Sequence, residues 1–94
     1  MLIVSFAHAG LKRLYLADQR RGVPADAVGK LRHMLAFLQT MEHADELRTL
    51  PTWRAHRLTG SRAGTWALHV TRNWRLTFRI VNNEVRELNL EDYH

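Results

Sequence analysis

The order of periodicities along this chain predicts an α+β fold, with two N-terminal helices packed on a small, mostly antiparallel sheet in the order β-α-α-β-β-β-β. Apolar residues recur at helical spacing only in the first half, between Ala7 and Met41. After Pro51 they recur at every second position, the repeat of strands with one buried face. No linker, internal repeat or low-complexity segment interrupts the 94 residues, so one domain spanning 1–94 is expected.

Leu2–Phe6 is short, apolar and rich in β-branched residues, and reads as a strand. From His8 the pattern turns helical. Ala7, Leu11, Leu14 and Tyr15 fall on one face with Lys12, Arg13 and Asp18 between them, and Arg20-Arg21-Gly22 closes the helix. Pro24 suits a helix first turn, and Asp26 favours the positive N-terminal end. Val28, Leu31, Leu35 and Leu38 then line a second helix to about Met41, widened by Met34 and Phe37. His43–Leu50 has room for one more helical turn, which Pro51 is expected to stop. Trp53–Thr59 reads as a strand and Gly60–Gly64 as a turn. In the next strand Trp66, Leu68 and Val70 alternate with Thr65, Ala67 and His69. In the one after it Trp74, Leu76, Phe78 and Ile80 alternate with Arg75, Thr77 and Arg79. Asn82-Asn83 tolerates positive φ and marks a hairpin. In Val85–Leu90 the alternation slips after Val85, which points to a bulge. The helices are expected to cover the face bearing Trp66, Leu68, Trp74, Leu76 and Phe78. The opposite, open face then displays His69, Arg75, Thr77 and Arg79.

Composition narrows the classes of function. Hydrophobic residues make up 46% and charged residues 24%, ordinary for a globular domain. Cysteine is absent, so disulfides and thiolate metal sites are excluded and a reducing cytoplasm is the expected location. No apolar run approaches the ~18 residues of a membrane span. Met1–Phe6 is too short for a signal peptide and lacks a basic leader. His8, His33, His43 and His69 show no ligand spacing, so they are expected at surface or capping positions, with neither metal nor cofactor.

Net charge is +5, and arginine supplies 12 of the 14 basic side chains. Between Glu46 and Glu84 there is no acid, but there are seven arginines: Arg48, Arg54, Arg57, Arg62, Arg72, Arg75 and Arg79. Such a block suits a polyanion, because each phosphate contact releases counterions and guanidinium grips phosphate bidentately. The plainer alternative is a solvated basic face. An arginine-bearing open sheet is a plausible cradle for single-stranded RNA, which offers both phosphates and unstacked bases.

Several segments resemble one family in register over nearly the whole chain. Ser5-Phe6-Ala7-His8-Ala9-Gly10-Leu11-Lys12 is similar to the opening of HigB toxins, within the RelE-like superfamily. His56-Arg57-Leu58-Thr59-Gly60 resembles their His-Pro-Leu-Lys-Gly segment, and Gly64-Thr65-Trp66 through Val70 the strand that follows. Asn73-Trp74-Arg75-Leu76-Thr77-Phe78 is close to the family's Asn-Trp-Arg-(Ile/Leu)-Thr-Phe, and Asp92-Tyr93-His94 to its C-terminal Asp-Tyr-His.

The resemblance implies a RelE-like fold and a ribosome-dependent mRNA endoribonuclease that inhibits translation. It also implies a cognate HigA-like antitoxin with a helix-turn-helix domain, and contact with operator DNA only through the antitoxin complex. The catalytic residues it implies are His56, Arg75, Tyr93 and His94, with Asp92 nearby. The chain departs from the family where Arg57 and Thr59 replace Pro and Lys. Thr59 holds no phosphate by charge, so either Arg57, Arg62 or Arg79 supplies the cation or the chain is a weaker nuclease than its family. In a regular strand Arg57 points away from His56.

The chemistry suits these residue types. In metal-free RNA cleavage the 2′-hydroxyl attacks phosphorus, so its proton must be removed, the leaving 5′-oxygen protonated, and the added negative charge steadied. Histidine transfers protons near neutrality without tuning, and each such group contributes about 10²–10⁴-fold. Arginine stabilises the charged transition state, and tyrosine donates a hydrogen bond or stacks on a base. Either His56 or His94 can serve as base. Competing readings are a ParE-like toxin directed at DNA gyrase, and a non-catalytic RNA-binding or co-repressor subunit. A pure binder needs the arginine but not the proton-transfer pair.

Overall fold

The computed structural model describes residues 1–93. Its order is β1 (Leu2–Ile3), α1 (Ala9–Ala17), α2 (Val28–Thr40), β2 (His56–Arg57), β3 (Thr65–His69), β4 (Trp74–Val81) and β5 (Glu84–Asp92), joined by short 3-10 turns. The expected sequence of elements and the α+β class are both present. The strands lie in the order β1-β5-β4-β3-β2. Among the described residues only β1 runs parallel to its neighbouring strand.

Helix α1 starts where the His8 side chain accepts the Leu11 amide at its Nδ1, 3.1 Å away. This satisfies one of the amides that a helix start leaves without a partner. It ends at Ala17, earlier than Arg20-Arg21-Gly22, because Asp18 takes a left-handed conformation at φ 53°. Gly10 lies so close to the following loop that a Cβ there would stand 2.5 Å from the Gly22 carbonyl oxygen. In α2, Val28, Leu31, Met34, Leu35 and Leu38 are buried along the predicted stripe. Pro24 precedes a separate 3-10 turn, Ala25–Ala27, rather than opening α2 itself.

The stretch after Pro51 is less regular than a strand over Trp53–Thr59. Pro51 opens a 3-10 turn, Pro51–Trp53, and Arg54 then adopts φ 48°. The strand is therefore confined to His56–Arg57, and Gly60 at φ 68° ends the extended run. Trp53 turns inward, 3% exposed, and meets the rings of Phe37 and His33 edge-on.

Asn82 and Asn83 both have positive φ, 51° and 63°, as the two-residue hairpin turn requires. The slip in β5 is a bulge. Thr77 pairs with Asn89 but Arg79 with Arg86, so β5 carries one extra residue, and Glu87 sits at φ 58°. Opposite that bulge β1 leaves the ladder: the Glu87 amide is taken by the Ser5 hydroxyl, and pairing resumes only at Phe6 with Leu88.

The helices cover Trp66, Leu68, Leu76 and Phe78, all nearly inaccessible to solvent, while Trp74 near the sheet end is half-buried. The other face differs from the expected open display. Thr77 is only 3% exposed, and Thr65 and Ala67 are buried too. Thr77 is short, and its hydroxyl donates to Glu91, whose carboxylate is in turn covered by Arg62. The middle of this outer face is thus a floor beneath longer polar side chains. Among the described residues no helix is long and apolar enough to cross a membrane.

Candidate active site

Strand register places the candidate residues. His56 pairs with Ala67, Ala67 with Thr77, and Thr77 with Asn89, so these four side chains share the outer face in one row. His69, Arg75 and Glu91 form the next row. His56 and Arg75 are therefore two strands and one row apart, roughly 12 Å between Cα atoms from strand spacing and rise. That gap admits a phosphodiester between two long side chains.

His56 is exposed, and its Nδ1 lies 2.9 Å from the Arg54 carbonyl oxygen. A carbonyl only accepts, so Nδ1–H is the donor in this contact and Nε2 is the ring nitrogen left for other partners. The left-handed turn at Arg54 brings that carbonyl within reach.

Arg75 is half-buried and held from behind. Its guanidinium donates to the Thr71 carbonyl at 2.8 Å and the Trp74 carbonyl at 3.1 Å, and stacks 4.9 Å from the centre of the Tyr93 ring. The Tyr93 amide is tied to the Asn73 carbonyl at 2.6 Å, so the tyrosine is docked against the β3–β4 connection rather than frayed. His94 lies outside the described residues. Asp92 pairs with Trp74 in register, on the face opposite Glu91 and Arg75.

The other candidate cations separate. Arg57 pairs with Trp66 on the helix side of the sheet, and its guanidinium lies 5.1 Å over the indole, with Arg48 5.2 Å from the same ring. Arg62 forms a two-pronged bond to Glu91, at 2.9 and 2.5 Å. Arg79 lies 3.7 Å from Glu87. Arg62 and Arg79 both border the outer face, half-exposed.

Sequence reasoning gave Glu91 no role and placed His69 on the outer face without one. Glu91 joins Arg62 and Thr77, and the Arg62 bonds, helped by the Thr77 hydroxyl, hold its carboxyl below the usual carboxylate range against the opposing effect of burial. His69 stands opposite Arg75, with a buried Nδ1 that has no hydrogen-bond partner among the described residues. Desolvation lowers its pKa, and the charges of Arg75, Lys30 and Arg54 add to the effect. Its phase in the strand, shared with Arg75 across the hairpin, was the available signal. No group of three or more potential metal ligands occurs among the described residues.

The arrangement of helices on one side of a mixed sheet is shared with solved structures of low sequence identity. The structure of YafQ from E. coli superposes with a TM-score of 0.63 at 18% identity, covering 98% of this chain and 93% of that one. The E. coli DinJ–YafQ toxin–antitoxin complex gives 0.62 at 19% identity with the same coverage. Residues 4–94 match the HigB-like family, RelE-like toxins of type II toxin–antitoxin systems, and the chain belongs to it. The endoribonuclease HigB of Proteus vulgaris is 39% identical over 93 residues, 99% of this chain and all of that protein.

Proposed function

We propose that this protein is the toxin of a type II toxin–antitoxin pair and an endoribonuclease that cuts mRNA on the ribosome. The arrangement that carries this reading is the outer sheet face, where His56 presents a free Nε2 and the stacked Arg75–Tyr93 pair stands one row away. In the proposed reaction the 2′-hydroxyl attacks the adjacent phosphorus. The new bond joins O2′ to phosphorus and the bond to O5′ breaks. His56 Nε2 takes the 2′-hydroxyl proton, and His94 returns a proton to the departing O5′. Arg75 steadies the charge on the non-bridging oxygens, for which a preorganised donor contributes about 10²–10³-fold. Tyr93 orients Arg75 and offers its ring to a base. Arg62 and Arg79 hold flanking phosphates.

Ribosome dependence follows from size. A face this small offers little to position a substrate, and positioning is a large part of any rate enhancement. The partner is an antitoxin, as in the DinJ–YafQ complex. For this chain we infer a HigA-like, helix-turn-helix protein that carries the complex to operator DNA, with both partners in the cytoplasm.

The test is to map 5′ ends of cellular mRNA after brief induction, alongside purified protein acting on translating complexes and on naked RNA. Cuts confined to translated regions, with naked RNA nearly untouched, are expected. Equal rates on naked RNA would overturn ribosome dependence, and absence of cuts with growth still arrested would point to a non-nucleolytic target. Co-expression of the neighbouring helix-turn-helix gene is expected to restore growth. Continued arrest would exclude that neighbour as the antitoxin.

A further inference from the structure

Beyond His56 and Arg75, the outer face continues into a cleft of about 290 Å³, bordered by Ser61, Arg62, Thr65, Thr77, Arg79 and Asn89. Its floor holds two threonines, both buried. The two guanidiniums at its rim are each already matched by a carboxylate, Arg62 by Glu91 and Arg79 more loosely by Glu87. Arg75 and Arg79 are four residues apart on β4, about 13 Å along the strand, long enough for the RNA to extend past the reacting phosphate.

The Arg62–Glu91 contact has the geometry in which guanidinium takes a phosphate: two parallel bonds to two oxygens. Glu91 is further fixed by the Thr77 hydroxyl, and these bonds favour its ionised form at neutral pH. We propose that the cleft is a phosphate subsite for the RNA strand beside the cut, and that Glu91 occupies the rim residue Arg62 in the free protein as an internal anion the strand must displace. This rests on the endoribonuclease reading above. Displacement exchanges one anion for another, so Arg62 adds little to the capture of loose RNA. A strand already held in place supplies its phosphate at high local concentration and completes the exchange. Glu91 is thus a specificity-determining residue that disfavours free polyanions.

Glu91→Gln keeps the size of the side chain and an oxygen for Thr77 while removing the charge. Binding is read with a short unstructured RNA carrying a 2′-deoxy sugar at every position where cutting is observed. Relative to wild type, affinity is expected to rise about two- to five-fold, the equivalent of one exposed ion pair. The slope of log K against log salt should steepen by about 0.7, as for one added phosphate contact on a single strand. Adding Arg62→Ala to Glu91→Gln should abolish both gains. Unchanged affinity and slope, or gains that survive Arg62→Ala, would overturn the proposal. Should Glu91→Gln not fold, Glu91→Ser makes the same change of charge. In the wild-type protein the carboxyl carbon signal of Glu91 should also move when the RNA is added, and an unmoved signal would count against displacement. These are binding readouts. Their failure with translation-dependent cutting intact removes the subsite alone, whereas loss of cutting by the wild-type protein removes the parent reading.

Discussion

Arg75 and Leu76 are neighbours on one strand with opposite surroundings. Arg75 points to the polar face and is braced by main-chain carbonyls, while Leu76 is fully buried under the helices. Arg75→Ala is expected to abolish growth arrest with little change in melting temperature. Leu76→Ala should cost about 2–5 kcal/mol of stability, measured by denaturant unfolding. A collapsed Arg75→Ala variant would show that this face is structural. Arg57 makes the opposite case. Its guanidinium lies over Trp66 on the helix side, away from His56. Arg57→Ala should therefore lower stability by about 0.5–1 kcal/mol, as an exposed cation–π contact does, and leave cleavage of translated mRNA at the wild-type rate. A large loss of cleavage would assign Arg57 to the RNA.

At the scale of elements, α2 and β4 were legible because one repeat runs through each without interruption. Segment Trp53–Thr59 was not, because its strand is cut short by the 3-10 turn at Pro51 and the left-handed Arg54, neither of which alters hydrophobic spacing. The bulge in β5 was visible as a slip in alternation, but its effect on β1 was not, since it acts through the Ser5 hydroxyl across the sheet. In the candidate site, residue types and faces could be read ahead. The Glu91 hub could not, because it exists only when two strands and a turn meet. The cap of α1 makes a pH-dependent element. Burial, with a contribution from Arg13, lowers the pKa of His8, and its Nδ1 accepts the Leu11 amide only when unprotonated. Burial lowers that of His69 as well. Both groups bind a proton more readily in the unfolded chain. Their stabilising contributions are complete above the ordinary histidine value of 6.5 and are lost as pH falls through the depressed folded values. Melting temperature should fall between about pH 7 and about pH 5. His8→Asn keeps a capping acceptor without titrating in that range, so its decline should be shallower. A decline parallel to wild type would remove His8 as a cause.

On the scale of the whole molecule, the sheet separates duties by face: helices and core on one side, polar chemistry on the other. The C-terminal segment belongs to the second, since Tyr93 is docked by the Asn73 carbonyl and the Arg75 stack. Deleting His94 is accordingly expected to preserve folding and antitoxin binding while cleavage drops by about two orders of magnitude or more. Wild-type cutting by the shortened chain would leave His56 and Arg75 to carry the reaction. The extra residue in β5 has a consequence for how such a chain can change over generations. Val85 faces inward before the bulge and Leu88 and Leu90 after it, so every position from Leu88 onward takes its side of the sheet from that one insertion. Paired additions at the Asn82-Asn83 turn lengthen the hairpin and preserve this parity. Loss of a single codon at Glu87 reverses it, sending Leu88 and Leu90 into water and Asn89 and Glu91 toward the helices. Length variation in descendants of this sequence is therefore confined to even steps on one side of Glu87, and the outer face is inherited as a fixed count of residues from the bulge.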